Sequence, residues 1–370
     1  MTRRFDIPLL LWAVTLSTLV VLAFAFGYDP LEGHTWSRWD SVHYESIARG
    51  GYHLYRCPLD YTPDPGGWCG DAGWFPAYPW LFGALARIGI PLRGAAVAVS
   101  SVFAAATLVL LWNTFFRRRR DVLVLAGLAY AAWTPGQIYD YAIFPMSVLA
   151  FFTVAHLWLL QRGRFVGAGL AGAAAALSYP LGIVVIPVSA LWLLAQRAVP
   201  LAVRLRRVAT TSGLALAGLA VLAVDQQLET GHWNAYLLVQ RKYHHHLQNP
   251  IAALRDYVRP ITDGSPFNLS DASAWQTALV TALLLAVLVQ ALSRRRSLDR
   301  VDGLLLLWAV VTWALPLSQA AVESQRSQAA LLPLAVFVPR LPRPLAFVFV
   351  AAAVVVAVAM EKLYLQGKIV

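Results

Sequence analysis

The sequence predicts an all-α polytopic membrane protein, and three observations support this prediction. Of its 370 residues, 59% are hydrophobic and only 13% are charged. Apolar runs close to the length of about 20 residues that crosses a bilayer recur from end to end. These runs lack the alternating pattern of barrel strands, so each is expected to satisfy its backbone hydrogen bonds within a helix. We therefore expect one membrane domain covering residues 1–370.

The breaks between the apolar runs predict eleven transmembrane helices. The fifth and sixth are separated only by Tyr179 and Pro180, so they could also form one kinked element. The first run follows two arginines and resembles a secretion signal, but its apolar stretch is longer than a usual signal core, which favours an uncleaved helix. The predicted spans are 8–27, 94–116, 121–134, 143–160, 165–179, 180–196, 208–224, 273–292, 301–316, 327–339 and 345–361.

The distribution of charge predicts the orientation of these helices. With a cytoplasmic amino terminus, the inner segments hold 18 of the 30 basic residues and only four of the 19 acids. Every predicted inner turn is then arginine-rich, as the positive-inside rule requires. The excess of basic residues therefore reflects topology, and a nucleic-acid partner is not expected. The Ala, Leu and Arg-rich composition is typical of a bacterial protein, for which this orientation predicts a plasma-membrane location.

Two long polar segments, residues 28–93 and 225–272, fall on the predicted outer side. In the first, residues at helical spacing between Trp36 and Ile47 predict an amphipathic helix along the membrane interface. A second such helix is predicted to open at the prolines of residues 74–80, which read WFPAYPW. The tryptophans would also suit an aromatic belt at headgroup level.

Asp40 is the most informative residue of the first outer loop, where it shares a predicted helix flank with His43 and Tyr44. A carboxylate at the lipid boundary among aromatic rings can accept the proton of a sugar hydroxyl as that oxygen attacks an anomeric carbon. The alternative is an ordinary solvated surface acid.

Residues 38–44, which read RWDSVHY, resemble the first luminal loop of the PIG-V family, the glycosylphosphatidylinositol mannosyltransferase II group and its bacterial relatives. The resemblance implies the GT-C glycosyltransferase fold, a polyprenyl-phosphate sugar donor and an active site on the outer face. Further matches follow in order along the chain: Ile47-Ala48, Gly51-Tyr52, Phe75-Pro76, Tyr78-Pro79, Thr230-Gly231, Gln240, Asn249-Pro250, Arg326 and Leu332-Pro333-Leu334.

The resemblance also implies roles for particular residues in an inverting mannosyl transfer to a lipid or glycan acceptor. Asp40 matches the family's loop acid and would be the general base, while Arg326 would hold the donor phosphate. For Arg326 the alternative is an ion pair with Glu323 three residues earlier. The predicted substrate-binding residues are Arg38, His43, Tyr44, Asp140, Gln240, Arg241, Lys242, Tyr243, His244 and Arg326.

The sequence departs from the family pattern at two places. Residues 143–147 read IFPMS where an acid is expected, and Tyr179 stands where an arginine often precedes a Pro-x-Gly. Asp140 is either a replacement for the missing acid or an interfacial charge. These departures keep open a catalytically silent scaffold. Polytopic apolar chains also suit a transporter or lipid flippase, although the acids here gather in the outer loops, which weighs against ion-coupled transport.

Residues 241–246, which read RKYHHH, do not predict a metal site. Adjacent histidines on a helix point in different directions, whereas metal ligands need a spacing of three or four residues. We expect phosphate contact or interfacial solvation there, and no cofactor or required metal.

The only two cysteines, Cys57 and Cys69, lie in the first outer loop. An oxidising compartment and the short loop between them favour a disulfide over two free thiols. Closing this loop is expected to stabilise it by about 3 kcal/mol.

Overall fold

The computed structural model describes residues 5–61, 64–243, 246–264, 271–293, 300–319 and 324–369. Within these ranges, six helices are long and apolar enough to cross a membrane. They are α1 (Asp6–Ala25), α4 (Leu92–Thr114), α10 (Leu201–Thr230), α13 (Ala272–Ser293), α14 (Arg300–Ser318) and α16 (Arg343–Leu365). Four shorter apolar helices accompany them: α5 (Val122–Ala132), α7 (Met146–Gln161), α8 (Phe165–Ser178) and α9 (Val185–Leu194). The protein is thus a mostly helical, multi-pass membrane protein.

These ten helices coincide with ten of the eleven predicted spans, but the eleventh prediction, 327–339, is wrong as a single helix. That stretch contains a short helix, α15 (Ser324–Ala329), followed by a 3₁₀ helix over Leu332–Arg340. Pro333 and Pro339 lie in the 3₁₀ segment and lack the amide hydrogens that a continuous α-helix needs. The predicted break between the fifth and sixth spans is present, because Tyr179 is extended and a 3₁₀ turn precedes α9.

Close helix packing in the middle of the molecule depends on small residues. Helix α8 packs against both α7 and α10. A Cβ atom added to Gly218 of α10 would lie 2.4 Å from the Ala173 carbonyl oxygen of α8, so only glycine permits this approach. Small residues at such crossings let the backbones of membrane helices come together.

Outside the long helices, short elements cover the end of the bundle that carries residues 28–93. They include a 3₁₀ helix (Gly33–Trp36), α2 (Ser41–Gly50) and α3 (Ala77–Arg87). A helix is thus present in the loop where an interfacial helix was predicted, but it begins at Ser41 and not at Trp36. The cause is Trp39, whose backbone φ of 46° interrupts the helix. Further short helices in the described residues are α6 (Ile138–Tyr141), α11 (Ala235–Gln240), a 3₁₀ turn (Arg241–Tyr243) and α12 (Pro250–Asp263).

A two-stranded antiparallel sheet lies between α2 and α3. Strand β1 (Leu54–Arg56) pairs with β2 (Trp68–Gly70), with Tyr55 opposite Cys69. Cys57 and Cys69 are joined in a disulfide with their Cα atoms 5.1 Å apart. The covalent link closes the hairpin loop beside α2, which carries the first residues of the candidate site.

Candidate functional site

A cavity of about 500 Å³ opens where the ends of α10 and α14 and the 3₁₀ turn before α9 meet α2, α11 and α15. Its apolar lining includes Leu219 and Leu222 of α10 and Leu315 of α14. The polar and aromatic residues of the lining include Asp40, Tyr44, Trp74, Tyr179, Gln226, Asn234, Gln240, Tyr243 and Arg326. A cavity with both apolar and charged lining residues suits a ligand that has a lipid tail and a polar head.

Asp40 occupies the position immediately before α2, where an aspartate normally accepts a hydrogen bond from the first turn of the helix. Its side chain makes no such capping bond. Instead the carboxylate forms an ion pair with Arg326, 286 residues later in the chain. The carboxylate therefore does not cap α2, and it is part of the cavity lining instead.

The chain around Asp40 is held by bonds to distant backbone groups. The Trp36 carbonyl accepts hydrogen bonds from the Ile143 amide at 3.0 Å and from the Tyr364 hydroxyl at 2.9 Å. Trp39, in its strained left-handed conformation, donates its indole N–H to the Gly367 carbonyl at 3.1 Å. Strain of this kind persists only where the surroundings over-determine it.

The opposite member of the pair, Arg326, is almost completely buried, with 1% of its side chain exposed against 17% for Asp40. Its guanidinium carbon lies 5.1 Å from the centre of the Phe144 ring. The ring face offers a favourable surface to the cation and restricts it to one plane. Phe144 belongs to the segment where the family pattern has an acid, so this departure from the pattern lies directly against the ion pair.

His43 and Tyr44 follow Asp40 on the first turn of α2. The His43 ring stacks on Trp74 with centroids 3.5 Å apart, and burial lowers the pKa of this imidazole although Asp40 opposes the change. Tyr44 is buried, lines the cavity and makes an edge contact with Phe144. His43 therefore supports the wall residue Trp74, whereas Tyr44 is itself part of the wall.

The residues predicted at 240–244 divide between cavity, interior and surface. Gln240 and Tyr243 line the cavity, and Gln240 donates to the Gly73 carbonyl at 3.2 Å. The Lys242 side chain is buried, its pKa is lowered by burial, and the negative charge of Asp40 opposes this shift. Arg241 is exposed and outside the cavity lining, and His244 lies outside the described residues.

Arg38, predicted to bind substrate, has a different position. Its guanidinium donates twice to the Leu365 carbonyl at the end of α16, at 3.2 and 3.0 Å, and once to the Ser37 carbonyl. A cation at the last carbonyls of a helix satisfies groups that have no intrahelical partner. This geometry makes Arg38 an anchor for the loop that carries Asp40, with no place in the cavity lining.

Asp140 is also separate from the main cavity. It lines a small cavity of about 10 Å³ with Thr107, Ser147 and Leu332, and burial raises the pKa of its carboxyl to about 8. The structure therefore places Asp140 outside the lining of the cavity that holds Asp40 and Arg326, and a role as a replacement acid stays a prediction.

Several wall residues were not singled out by the sequence reasoning. Gln226 is fully buried at the end of α10, where it donates to the Ala72 carbonyl and accepts from the Tyr236 amide. A run of polar residues, Asp225, Gln226 and Gln227, directly after the apolar stretch of α10 was the signal that could have identified it. Asn234 also lines the cavity, as does Tyr179, which the sequence marked only as a departure from the family pattern.

The described residues contain no group of three or more His, Cys, Asp or Glu side chains placed to hold a metal ion. The charged groups that the structure brings to the cavity are one carboxylate, one guanidinium and, beside them, the Lys242 amine. The two cations suit the anionic head group of a ligand, and the carboxylate can serve as a proton acceptor.

Comparisons with known proteins give likeness at the level of fold. No protein-family model and no curated protein matches the chain. Among solved structures, the apo oligosaccharyltransferase of Archaeoglobus fulgidus matches with a TM-score of 0.53 and 12% identity, over 96% of this chain and 56% of that chain. A structure of oligosaccharyltransferase AglB from the same organism, in complex with an inhibitory peptide and a dolichol-phosphate, has a TM-score of 0.45 and 15% identity.

The chain spans little more than half the length of these two structures. The first likeness shows a fold of the GT-C glycosyltransferase type. Membership of the PIG-V family in particular stays a prediction from the sequence.

Proposed function

We propose that this protein is a membrane glycosyltransferase that moves mannose from a polyprenyl-phosphate donor to a lipid or glycan acceptor on the outer face of the plasma membrane. The observation that carries the proposal is the contact between Asp40 and Arg326 in the wall of one cavity. An acid from the start of the chain and a cation from its end meet in a cavity lined by both apolar and polar side chains. The GT-C-type scaffold around them supports glycosyl transfer as the reaction class.

In the proposed reaction, the donor phosphate takes the place of Asp40 as the partner of Arg326. The guanidinium can bind phosphate oxygens with two parallel hydrogen bonds, and Lys242 adds a second positive charge nearby. The apolar lining, which includes Leu219 and Leu222, would receive the first isoprenoid units of the donor. Arrival of the phosphate releases the Asp40 carboxylate from its ion pair.

The released carboxylate then acts as the general base. It accepts the proton of the acceptor hydroxyl while that oxygen attacks the anomeric carbon, and the bond between this carbon and the phosphate oxygen breaks. Arg326 stabilises the negative charge that develops on the departing phosphate. Attack from the face opposite the leaving group converts a β-linked donor into an α-linked product. No step needs a divalent ion, because the donor arrives as a lipid monophosphate and its charge is balanced by side chains.

Incubating the purified protein with radiolabelled polyprenyl-phosphate mannose and a membrane lipid extract tests this function. We expect a labelled glycolipid or glycan from the native protein, with equal yield when EDTA is present, and a loss of about 10² to 10⁴ in the rate of transfer by Asp40→Asn. Asp60→Asn, which removes an exposed acid from the same loop, is the matched control and should retain full transfer. Full activity in Asp40→Asn would remove the base assignment.

A catalytically silent scaffold is the second candidate, and one observation favours it. Asp40 is neutralised by Arg326, and both departures from the family pattern lie at the site, since Phe144 packs under Arg326 and Tyr179 lines the cavity. This candidate predicts that the native protein binds the labelled donor but forms no product with any acceptor fraction. A transporter or flippase would instead move the labelled lipid between leaflets of a vesicle without chemical change.

A further inference from the structure

A second cavity lies at the other end of α10 from the candidate site. It has a volume of about 1100 Å³, and its lining runs from the end of α7 through the start of α8 to the first turns of α10. Arg206 lines this cavity and Gln226 lines the first one. At 1.5 Å per residue, Arg206 and Gln226 lie about 30 Å apart along α10, a distance equal to the thickness of the hydrocarbon core, while the nearest lining residues of the two cavities, Thr210 and Leu219, lie about 14 Å apart.

Four arginines surround this second cavity, which we call the arginine basin: Arg162, Arg164, Arg206 and Arg207. None of the four forms an ion pair with a carboxylate in the described part of the chain. By contrast, Arg119 and Arg340, on the same predicted side of the membrane, pair with Asp121 and Asp302 respectively. Orientation by the positive-inside rule requires arginines at this end but does not require them to be grouped around a cavity without acids.

Aromatic rings hold two of these arginines against the cavity wall. The Arg207 guanidinium lies 4.9 Å from the centre of the Phe165 ring, and that of Arg162 lies 5.9 Å from the Trp158 ring. Both rings also line the basin. Stacking of this kind restricts guanidinium groups to fixed planes and leaves their edges available for an anion.

Most of the remaining side chains of the lining are apolar, and they include Leu159, Val166 and Val203. A free phosphate ion would make no favourable contact with this apolar surface, whereas a phospholipid would place its acyl chain there. The basin lies at an end of a membrane-crossing helix, where headgroups are found.

We propose that the arginine basin binds one anionic phospholipid, with the phosphodiester held by Arg164 and Arg206 and an acyl chain along the apolar lining. The lipid comes from the leaflet at this end of the bundle, which the arginine distribution predicts to be the cytoplasmic one. The bound lipid lies between the α7–α8 turn and the start of α10, at the end of α10 opposite the candidate site.

Native mass spectrometry of the delipidated full-length protein, titrated with phosphatidylglycerol, tests the proposal. We expect a single retained lipid and about thirtyfold weaker binding in the double variant Arg164→Gln/Arg206→Gln, because each arginine near anionic lipid contributes about a factor of five. The matched control is Arg118→Gln/Arg197→Gln, which removes two exposed arginines from other turns on the same side. Equal binding by both double variants overturns the proposal, as does equal retention of phosphatidylcholine.

Adding millimolar inorganic phosphate separates a lipid site from a phosphate site. We expect phosphate to leave the retained lipid in place, and complete displacement would contradict a lipid site. A second measurement does not depend on the folding of the arginine variants. Because both native cysteines are in a disulfide, Thr210→Cys supplies a single thiol on the basin wall for a bimane label. Dibrominated phosphatidylglycerol should quench this label more strongly than dibrominated phosphatidylcholine, and equal quenching would contradict the proposal.

Discussion

Asp40 and Arg326 show how much of a site can be read from single residues. Each is conspicuous in the sequence, one as an acid among aromatic residues near the membrane and the other through its position late in the chain. Their contact is not predictable from local patterns, because 286 residues separate them and helix packing alone brings them together. The local alternative for Arg326, a pair with Glu323, involves a residue outside the described ranges.

The part proposed for Arg326 predicts a graded response to substitution. Arg326→Gln removes the charge that stabilises the leaving phosphate, so transfer should fall by about 10² to 10³, the usual result of deleting one such group. Arg326→Lys keeps the charge without the two-pronged geometry, and transfer should lie between the native and glutamine values. Steady-state rates with labelled donor measure both.

Arg87→Gln, at an exposed position on α3, is the matched control and should transfer at the native rate. If Arg326→Gln retained native transfer, phosphate binding by this residue would be excluded.

Asp140 provides a test that concerns stability and not transfer. Burial raises the pKa of this carboxyl from 3.8 to about 8, so the folded state binds the proton more tightly than the unfolded state does. Folding stability should therefore be greatest at low pH and fall as the pH rises from about 4 to about 8. Asp140→Asn should make this decline shallower and have the higher melting temperature at pH 9.

Melting curves in detergent between pH 5 and pH 9 provide the comparison. Asp60→Asn should follow the native protein, since its carboxyl is exposed. An Asp140→Asn protein whose melting temperature declined with pH as steeply as the native one would show that Asp140 is not the group responsible.

At the scale of elements, hydrophobic runs predicted ten of the helices well because satisfying backbone bonds in a membrane leaves few alternatives. The predictions were poorest where the backbone conformation of a few residues determines where a helix begins or whether it continues. Trp39, which has a positive φ, moves the start of α2 to Ser41. In the predicted span 327–339, the prolines of Leu332–Arg340 favour a 3₁₀ helix over a continuous α-helix. The hydrogen bond from Arg38 to the Leu365 carbonyl was not predictable from local sequence, since the end of α16 lies more than 300 residues away.

The short segment after α11 supplies the element-scale prediction. Lys242 is buried beside the charge of Asp40, while its neighbour Arg241 is exposed. Lys242→Met should raise the KM for the lipid-phosphate donor about tenfold with a smaller change in kcat, because it removes attraction for the donor before and during reaction. Arg241→Met should change neither constant by more than about twofold.

Donor titrations with both variants at fixed acceptor measure these constants. A larger effect of Arg241→Met than of Lys242→Met would reverse the assignment of the two neighbouring cations.

At the scale of the whole molecule, the position of the Asp40 and Arg326 pair depends on the helix bundle, on the loop around Asp40 and on the packing of α15. Apolar helices form the GT-C-type bundle, and the loop around Asp40 is fixed by hydrogen bonds that it accepts from Tyr364 and Ile143 and one that it donates to the Gly367 carbonyl. The bundle then brings α15 to that loop, so that opposite charges meet in a cavity with a partly apolar lining. Composition predicts the bundle, but the placement of Arg38 and Asp140 away from the cavity follows only from packing.

Exchanging the two charges tests the central claim, that the Asp40 and Arg326 pair performs chemistry and does not merely hold α2 to α15. The single variants Asp40→Arg and Arg326→Asp should both lower the melting temperature, since each places like charges in contact at a largely buried site. The double variant Asp40→Arg/Arg326→Asp restores an ion pair. Our account predicts that it regains much of the lost thermal stability while mannosyl transfer from labelled donor stays at background. Recovery of transfer together with stability would contradict the account. A purely structural ion pair can work with its charges exchanged, whereas a general base and a phosphate-binding cation must each keep their own position.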